Sequence, residues 1–292
     1  MKRAAPAGRK EIDAWERACP GIMHGEAAAR LRQAASWSAV FLFTLWCFNH
    51  LGFSVERIWN GASKLGWLVG FMMPPAHNGW LAEFTQGLAE TVAMALLATV
   101  FASLAAVPLG FLCARTTLPY RWLTFALRRV SDAIRGIDAL IWALIFVNVV
   151  GLGPFAGVLA LAIHNTGDLA KLYSEAIENI DRRQMEGIRA TDGSRFAVLR
   201  FGVLPQILPN LLSQSLYYFE SNTRSATIIG AVGAGGLGLL LTERIRLYHW
   251  DEVAFLILMI LAAVFVIDSL SKLIRDAVIT GRPAPLIASP AS

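Results

Sequence analysis

A run of polar residues, FESNTRSAT at 219–227, interrupts an apolar part of the sequence and carries side chains suited to binding or conducting an anion. Glu220 and Arg224 are four residues apart, so a helix places them on one face, with the acid on the N-terminal side as an ion pair prefers. The hydroxyl and amide groups around them can donate hydrogen bonds to an oxyanion. They belong to Ser221, Asn222, Ser225 and Thr227.

Further polar side chains interrupt apolar runs upstream: Asn148, and the group His164, Asn165, Thr166 and Asp168. Polar groups in such runs usually face a bundle interior or a cavity. One alternative is a translocation path in which Arg224 balances the charge of an oxyanion. The other is structural, with Glu220 and Arg224 pairing to hold helices together and His164 donating a hydrogen bond between helices.

The glycine run GAGGLG at 233–238 matches G-x-G-x-x-G, the pattern of dinucleotide-binding turns. That pattern marks a nucleotide site only inside a βαβ unit, and no second strand follows it here. The sequence also has no G-x-x-x-x-G-K-[ST], so we expect no ATP to bind to this chain. These glycines instead permit close helix approach and an irregular turn. They are Gly233, Gly235, Gly236 and Gly238.

The composition is that of a membrane protein. The 292 residues are 55% hydrophobic and 16% charged, whereas soluble domains have about 25% charged residues, and the mean hydropathy is +0.52. Three widely spaced cysteines, Cys19, Cys47 and Cys113, predict neither a disulfide framework nor a metal site. The five histidines are scattered, so we expect no catalytic residues. Glu220 with His164 is the one pair that would suit an intramembrane enzyme, the alternative from another functional class.

Segments of about 20 apolar residues predict six membrane-spanning helices and hence an all-α integral membrane protein. The spans are 36–53, 87–114, 137–153, 154–173, about 206–230 and 253–273. Between the first two, residues 55–75 read as an interfacial helix broken by Pro74 and Pro75. A basic loop at 115–135 precedes the third span.

The basic residues predict that both termini are cytoplasmic. Residues 1–35 contain seven Lys and Arg, residues 115–135 five, residues 171–200 six, and the chain from 272 onward three, out of 26 in all. This bias explains the net charge of +5 by topology and contact with membrane lipid, without nucleic acid. The predicted organisation has five parts: a cytoplasmic segment at 1–35, the first span and a periplasmic interfacial helix at 36–80, a core with five spans at 81–275, a cytoplasmic loop at 174–205 within it, and a cytoplasmic tail at 276–292.

The loop at 174–205 is too long to be a simple connection. Two helical stretches, SEAIENID and RRQMEGIRAT, lead to a turn at Asp192 and then to SRFAVLRFGVLP. The loop resembles the cytoplasmic "EAA" loop of ABC-importer permeases, E-A-A-x3-G-x9-I-x-L-P. Glu186 is at the first position, and Leu204 and Pro205 follow 18 and 19 residues later. Gly187 and Ile188 replace the two alanines, Gly202 replaces the isoleucine, and Asp192 replaces the glycine, which leaves Gly193 as the alternative residue for the turn.

Three segments in matching order and spacing resemble the phosphonate-permease branch of that family, the PhnE family. They are VGLGPFAGVLALAIHNTG, MEGIRAT…GVLPQ and FESNTRSATIIGAVGAGGLG, and the resemblance covers about residues 85–275. It implies the type I ABC-importer (MetI-like) permease fold and import of phosphonate, phosphite or a phosphate ester by alternating access. A different solute such as methionine is the alternative within the class.

The resemblance also implies the partners and their sites. The partners are a second permease copy (or a second permease chain), two ABC ATPase subunits that use ATP and Mg²⁺, and a periplasmic or lipid-anchored solute-binding protein; this chain itself needs no cofactor. The implied location is the bacterial inner membrane, with an outer gate at the four glycines. The implied ATPase contacts are Glu186, Gly187, Arg189, Ala190, Thr191, Asp192, Gly193 and Pro205.

Overall fold

The computed structural model describes residues 20–116, 120–192 and 194–280. Every regular element in these ranges is a helix, which confirms the all-α prediction. Most of the predicted N-terminal segment, most of the predicted tail and Gly193 lie outside the described residues. The chain divides into two compact units, residues 1–67 and residues 68–292.

The first unit contains helix α1, Pro20–His50, and most of α2, Val55–Phe71. The turn between them is closed by Arg57, whose Nη1 donates a hydrogen bond of 3.1 Å to the Gly52 carbonyl. Phe48 and Phe53 pack edge to face across the same turn, with ring centroids 4.7 Å apart. Apolar side chains of the predicted first span are exposed around α1, as expected for a helix surrounded by lipid.

The second unit contains eight helices among the described residues. They are α3 Leu81–Cys113, α4 Arg121–Gly136, α5 Ala139–Val150, α6 Pro154–Glu178, α7 Arg182–Ala190, α8 Leu204–Ile229, α9 Gly236–Arg246 and α10 Trp250–Thr280. A short helical turn, Arg195–Ala197, and π-helical turns at Val198–Val203 lead into α8, and further π-helical turns at Gly230–Ala234 follow it.

Small residues allow α3 to pack closely against α6. They recur every four positions on the buried face of α3: Ala98, Ala102, Ala106 and Gly110. A Cβ atom on Gly110 would lie 2.7 Å from the Cβ of Tyr173 on α6, closer than two such atoms can approach. Tyr173 is itself buried together with residues of α8. Helices α3, α6 and α8 therefore form the centre of this unit.

Two helices are long and apolar enough to cross a membrane by length and composition, α3 and residues Trp250–Ala277 of α10. Two bent pairs also meet this test when each pair counts as one span: α4 with α5, bent by 83°, and Val198–Ala234 with α9, bent by 58°. These candidates include four of the six predicted spans. The other two, 36–53 and 154–173, lie in the helices α1 and α6, so the count of six remains a prediction.

Two connecting segments differ from the prediction. Residues 115–135, predicted as a basic loop, contain α4, because its polar and apolar residues alternate with helical period. The first five residues of SEAIENID, a stretch predicted as a helix of the loop, form the end of α6. α6 continues because Leu169, Tyr173 and Ile177 recur every four residues and keep one face buried.

Candidate functional site

A cleft of about 380 Å³ lies between the start of α5, α6 and α8. The structure brings five of the predicted path residues together on its wall: His164, Asn165, Ser221, Asn222 and Ser225. Tyr217, Tyr218, Asp138 and Asp168 are the other polar residues of its lining. The two tyrosines were missed, although each lies one helical turn before a predicted residue on the same face of α8.

The back of the cleft is a buried chain of amides that links three helices. The Asn165 amide of α6 donates to the Asn222 side-chain carbonyl of α8 at 2.7 Å. The Asn222 amide then donates to the Thr99 hydroxyl of α3 at 2.8 Å. Because buried polar groups are costly when unpaired, this chain specifies how the three helices fit together.

His164 lies at the edge of the cleft with both ring nitrogens near oxygen atoms. Its Nδ1 is 3.0 Å from the Ile137 carbonyl oxygen, so that nitrogen carries the proton and donates. Its Nε2 is 3.7 Å from a carboxylate oxygen of Asp168, one turn further along α6. Asp168 is also hydrogen-bonded to the Tyr218 hydroxyl of α8. His164 thus has the interhelical contact of the structural alternative while it also lines the cleft.

Arg224 faces α10 and is absent from the cleft wall. Its guanidinium is 3.4 Å from Glu220, as the spacing predicts, and 3.5 Å from Asp268 of α10. Arg275, also on α10, is 3.4 Å from the second oxygen of Glu220. Two positive and two negative side chains therefore alternate between α8 and α10. The geometry favours the structural alternative for this pair.

Two predicted path residues lie elsewhere and bond within their own helices. The Asn148 amide donates to the Leu144 carbonyl at 2.7 Å on α5, and the Thr227 hydroxyl donates to the Thr223 carbonyl at 3.2 Å on α8. Such bonds to the preceding turn satisfy a polar side chain without a partner helix. The structure does not bring either side chain to the cleft.

The glycine run forms the sharp break between α8 and α9. Gly233, Gly235 and Gly236 have φ values of +102°, +81° and +67°, which side chains with a Cβ rarely adopt. A Cβ on Gly238 would lie 1.9 Å from the carbonyl oxygen of Thr227. The run thus supplies the irregular turn and the close helix approach, with no βαβ unit around it in the described chain.

Side chains of α3 hold the first turn of α9. The Thr91 hydroxyl accepts a hydrogen bond from the Leu237 amide at 2.9 Å. A carboxylate oxygen of Glu90 accepts from the Gly236 amide at 3.3 Å. A carboxylate and a hydroxyl at a helix N-terminus satisfy free amides and complement the helix dipole. Neither residue was predicted, since the sequence does not show which helix α9 meets.

At the other end of α9, Arg244 is buried in an ion cluster that no local pattern predicts. Its Nη2 is 3.2 Å from Glu83 and its Nε is 3.1 Å from Glu252. The guanidinium lies over the rings of Trp80 and Phe84, at 4.9 and 5.7 Å from their centroids. The cluster joins the starts of α3 and α10 to the end of α9.

The predicted coupling loop presents a short polar helix, α7. Asp181 begins it by accepting a hydrogen bond from the Arg183 amide at 2.9 Å. Met185 and Ile188 face inward, where Gly202 leaves room for them; a Cβ on Gly202 would lie 3.1 Å from Ile188 Cδ1. The opposite side is exposed to solvent. The predicted contact residues there are Glu186, Gly187, Arg189, Ala190, Thr191 and Asp192.

The turn after α7 is made by Asp192 itself, with φ of +59°. Aspartate tolerates this region better than most residues, so it can occupy the turn position where the motif has glycine. Pro205 lies in the first turn of α8, directly after the π-helical turns at Val198–Val203. Gly193 lies outside the described residues.

Comparisons with known proteins agree with this architecture. A family model described as the binding-protein-dependent transport system inner membrane component matches residues 106–280. The putative phosphite transport system permease protein HtxC of Stutzerimonas stutzeri is 36% identical over 233 residues, 78% of this chain and 80% of that protein. The phosphite transport system permease protein PtxC of the same organism is 35% identical over 246 residues, 84% of this chain and 88% of that protein.

A solved structure shows the same fold at lower identity. It is the inward-facing MetNI methionine ABC transporter, with a TM-score of 0.62 and 21% identity, covering 70% of this chain and 99% of that one. This similarity establishes the MetI-like fold. The family match and the two permease relatives show that the chain belongs to the binding-protein-dependent transport system inner membrane components and is a permease subunit of an ABC importer.

Proposed function

We propose that this permease imports phosphite, phosphonate or a closely related phosphorus oxyanion across the bacterial inner membrane. The proposal rests on the solutes for which the similar proteins are named. Beside the two phosphite permeases, a putative cryptic phosphonate transport system permease protein of Escherichia coli is 49% identical over 118 residues, 40% of this chain. The methionine transporter supports the fold alone, at 21% identity.

The cleft between α5, α6 and α8 is the proposed path for the solute. Hydroxyl groups on its wall can donate hydrogen bonds to phosphoryl oxygens: Tyr217, Ser221 and Ser225. The Nδ1 proton of His164 is bonded to the Ile137 carbonyl, and the Tyr218 hydroxyl is bonded to Asp168. Among the described residues that line the cleft there is no Lys or Arg, and two carboxylates, Asp138 and Asp168, are present. Without a fixed positive charge the path binds an anion weakly and lets it leave, as transport requires.

The proposed complex contains two permease chains, two ABC ATPase subunits and a solute-binding protein on the outer side. The exposed side of α7 is the proposed ATPase contact, because it is polar, projects from the core and occupies the position of the coupling loop. ATP and Mg²⁺ act on the ATPase subunits, and both termini of this chain face the cytoplasm. A heterodimer with a different permease chain is the alternative to a homodimer.

The break between α8 and α9 is the proposed outer gate. Positive φ values at Gly233, Gly235 and Gly236 interrupt the helical path between α8 and α9, which supports a hinge at this point. When ATP draws the two α7 helices together, rotation at this joint would open the cleft to the outer side. Alternating access then follows from rigid-body movement about the core.

Growth of a strain that lacks this gene tests the proposed solute. We expect loss of growth with phosphite or phosphonate as sole phosphorus source, restored by the intact gene, and unchanged growth with methionine as sole sulfur source. Loss of growth on methionine alone would assign the alternative solute. In proteoliposomes, the loaded binding protein should stimulate ATP hydrolysis, and an absence of stimulation by any loaded binding protein would reject the importer assembly.

A further inference from the structure

A second, larger cavity has no part in the proposed transport path. Its volume is about 890 Å³, and it lies between the end of α3, helix α4 and the last turns of α6. Five basic side chains and only two acidic ones line it. The basic residues are Arg115, Arg121, Arg128, Arg129 and Lys171, and the acidic residues are Asp132 and Glu175.

Carboxylates offset only part of this positive charge. The pairs are Arg128 with Glu178, Arg129 with Asp132 at 3.3 Å, and Lys171 with Glu175 at 4.0 Å. Among the described residues, no carboxylate lies within ion-pair distance of the side chains of Arg115 and Arg121. Three buried hydroxyl groups also line the cavity, those of Thr124, Ser131 and Ser174. The cavity therefore combines excess positive charge with hydrogen-bonding groups, which suits a phosphate oxyanion.

The exposed side of helix α4 carries large apolar side chains beside Arg121 and Arg129, while its hydroxyl groups face inward. Phe125 is exposed and also lines the cavity. Trp122, Phe125 and Val130 are 71%, 60% and 56% exposed, whereas the hydroxyl-bearing Thr124 and Ser131 are buried. A helix on a water-exposed surface has the opposite arrangement. An outward face with tryptophan and phenylalanine is stable next to lipid, at the boundary between headgroups and acyl chains.

The direction of α4 agrees with a position at the membrane surface. α4 and α5 form a bent pair with an angle of 83° between them. If α5 runs across the membrane, α4 lies nearly along its surface, with the cavity at headgroup level. Arg129 extends over the ring of Phe125, 5.1 Å from its centroid, so a cation stands beside the apolar face where headgroup phosphates would be.

From this geometry we propose that the cavity binds the phosphodiester headgroup of an anionic phospholipid, with its acyl chains along the outward face of α4. Arg115 and Arg121 supply the charge that the headgroup phosphate neutralises. A free phosphate could use the same donors, but it would leave Trp122 and Phe125 uncovered. The lipid satisfies both the basic cavity and the apolar face, and the proposal is independent of which solute is transported.

The test measures which lipids the full-length permease retains. The protein is reconstituted in an equimolar mixture of phosphatidylglycerol and phosphatidylcholine, extracted with mild detergent, and its bound lipids are counted by mass spectrometry. We expect an excess of phosphatidylglycerol. In the double variant Arg115→Gln with Arg121→Gln, this excess should fall on the order of tenfold, since each basic residue contributes separately to binding an anionic lipid.

A matched double variant provides the control. Arg200→Gln with Arg246→Gln removes two exposed basic residues outside the cavity and should keep the excess of phosphatidylglycerol. Equal retention of the two lipids by the native protein, or unchanged retention in the Arg115 and Arg121 variant, would overturn the proposal. If that variant fails to insert, Lys171→Gln alone should lower retention severalfold, and unchanged retention there would also overturn it.

A competition experiment separates a lipid headgroup from a soluble anion. Inorganic phosphate is compared with sodium chloride at equal ionic strength as a competitor for the retained phosphatidylglycerol. A lipid site predicts that both salts weaken retention to the same modest extent, through screening alone. If phosphate displaces the lipid while chloride does not, the cavity is a site for free phosphate and the lipid assignment is wrong.

Discussion

Ser221 and Asn222 are neighbours on α8, but their side chains have different surroundings. Ser221 is half-buried and lines the cleft, whereas Asn222 is buried between Asn165 and Thr99. We expect Asn222→Ala to lower the free energy of unfolding by about 1–2 kcal/mol, because two buried partners lose a hydrogen bond. Ser221→Ala should change it by less than about 0.5 kcal/mol and slow solute uptake.

Thermal unfolding in detergent and uptake into proteoliposomes measure the two effects. The pair of variants is its own control, since the positions are adjacent and both become alanine. A Ser221→Ala protein that is as destabilised as Asn222→Ala would place both residues in the structural chain and remove Ser221 from the proposed path.

Arg224 belongs to a network of four charged side chains, with Glu220, Asp268 and Arg275. Their charges sum to zero, so removing any one of them leaves a net charge. Arg224→Met leaves Asp268 without its partner, while Glu220 keeps Arg275. We expect this variant to assemble poorly, since a lone charge inside a span costs about 2–3 kcal/mol on insertion scales. Adding Asp268→Asn restores neutrality, so the double variant should recover both assembly and transport.

Size-exclusion chromatography and uptake assays report these two properties separately. If Arg224 instead contacts the anion in transit, the double variant will assemble normally and remain inactive in transport. That result would return Arg224 to the path. Glu243→Gln, which removes an exposed acid of α9, controls for the effect of losing any carboxylate.

The sequence could reveal only part of this network. A spacing of four residues identifies Glu220 with Arg224, because helical geometry makes them neighbours whatever the fold. Asp268 and Arg275 are more than 40 positions away in the sequence, and their pairing depends on how α10 packs against α8. For the same reason Asn165 and Asn222 were predicted as polar residues inside spans, while their link to Thr99 was not.

At the scale of elements, α7 tests the coupling proposal. Glu186 is exposed on a helix whose other side packs on the π-helical turns before α8. We expect Glu186→Lys to abolish the coupling of ATP hydrolysis to transport, because charge reversal affects a surface contact without disturbing the buried residues of α7. The permease should insert and unfold like the native protein.

Co-purification with the ATPase subunits and ATP turnover per solute transported measure this coupling. Glu243→Lys makes the same charge reversal on α9, outside the coupling loop, and should leave turnover unchanged. Normal coupled turnover in Glu186→Lys would reject α7 as the ATPase contact.

The break between α8 and α9 depends on glycine at Gly238. A Cβ there would lie 1.9 Å from the Thr227 carbonyl oxygen and 2.9 Å from the Cα of Gly230. Because these are backbone atoms, α9 would have to move away from α8. We expect Gly238→Ala to destabilise the fold by at least about 3 kcal/mol and to reduce the amount of inserted protein.

Gly136→Ala is the matched control, since nothing lies within 4 Å of the added methyl group. It should leave the free energy of unfolding within about 1 kcal/mol of the native value. A Gly238→Ala protein with native stability would show that α9 can move away from α8 without a loss in the free energy of unfolding. That result would contradict the close packing of these helices.

The elements themselves were predicted to different extents. Long apolar runs identified α3, α8 and α10, because a span of this length has few alternatives. α4 was read as a basic loop because its four arginines suggested a solvent-exposed connection between two spans. The break at the glycine run was expected, whereas its contacts with Glu90 and Thr91 required knowledge of which helices are neighbours.

At the scale of the whole molecule, the two charged regions of the second unit differ in a way that matters for assembly. The cluster at Arg244 is compensated by Glu83 and Glu252 and is buried within one chain. The cavity beside α4 retains excess positive charge, and α7 is exposed. In the proposed topology the cavity beside α4 and helix α7 both lie on the cytoplasmic side, where lipid headgroups and ATPase subunits would meet the permease.

Cysteine labelling tests that orientation directly. In a protein with Cys19, Cys47 and Cys113 replaced by alanine, Arg246→Cys at the end of α9 and Arg189→Cys on α7 introduce single exposed thiols. In intact cells whose outer membrane is permeabilised, we expect a membrane-impermeant maleimide to label position 246 and not position 189. After the inner membrane is also opened, both should react, which verifies that each thiol is accessible. In the proposed topology the chain crosses the membrane once between positions 189 and 246, along α8. The two positions should therefore lie on opposite sides. Labelling of position 189 in intact cells would invert the assignment of sides, and with it the placement of the ATPase contact, the outer gate and the lipid cavity.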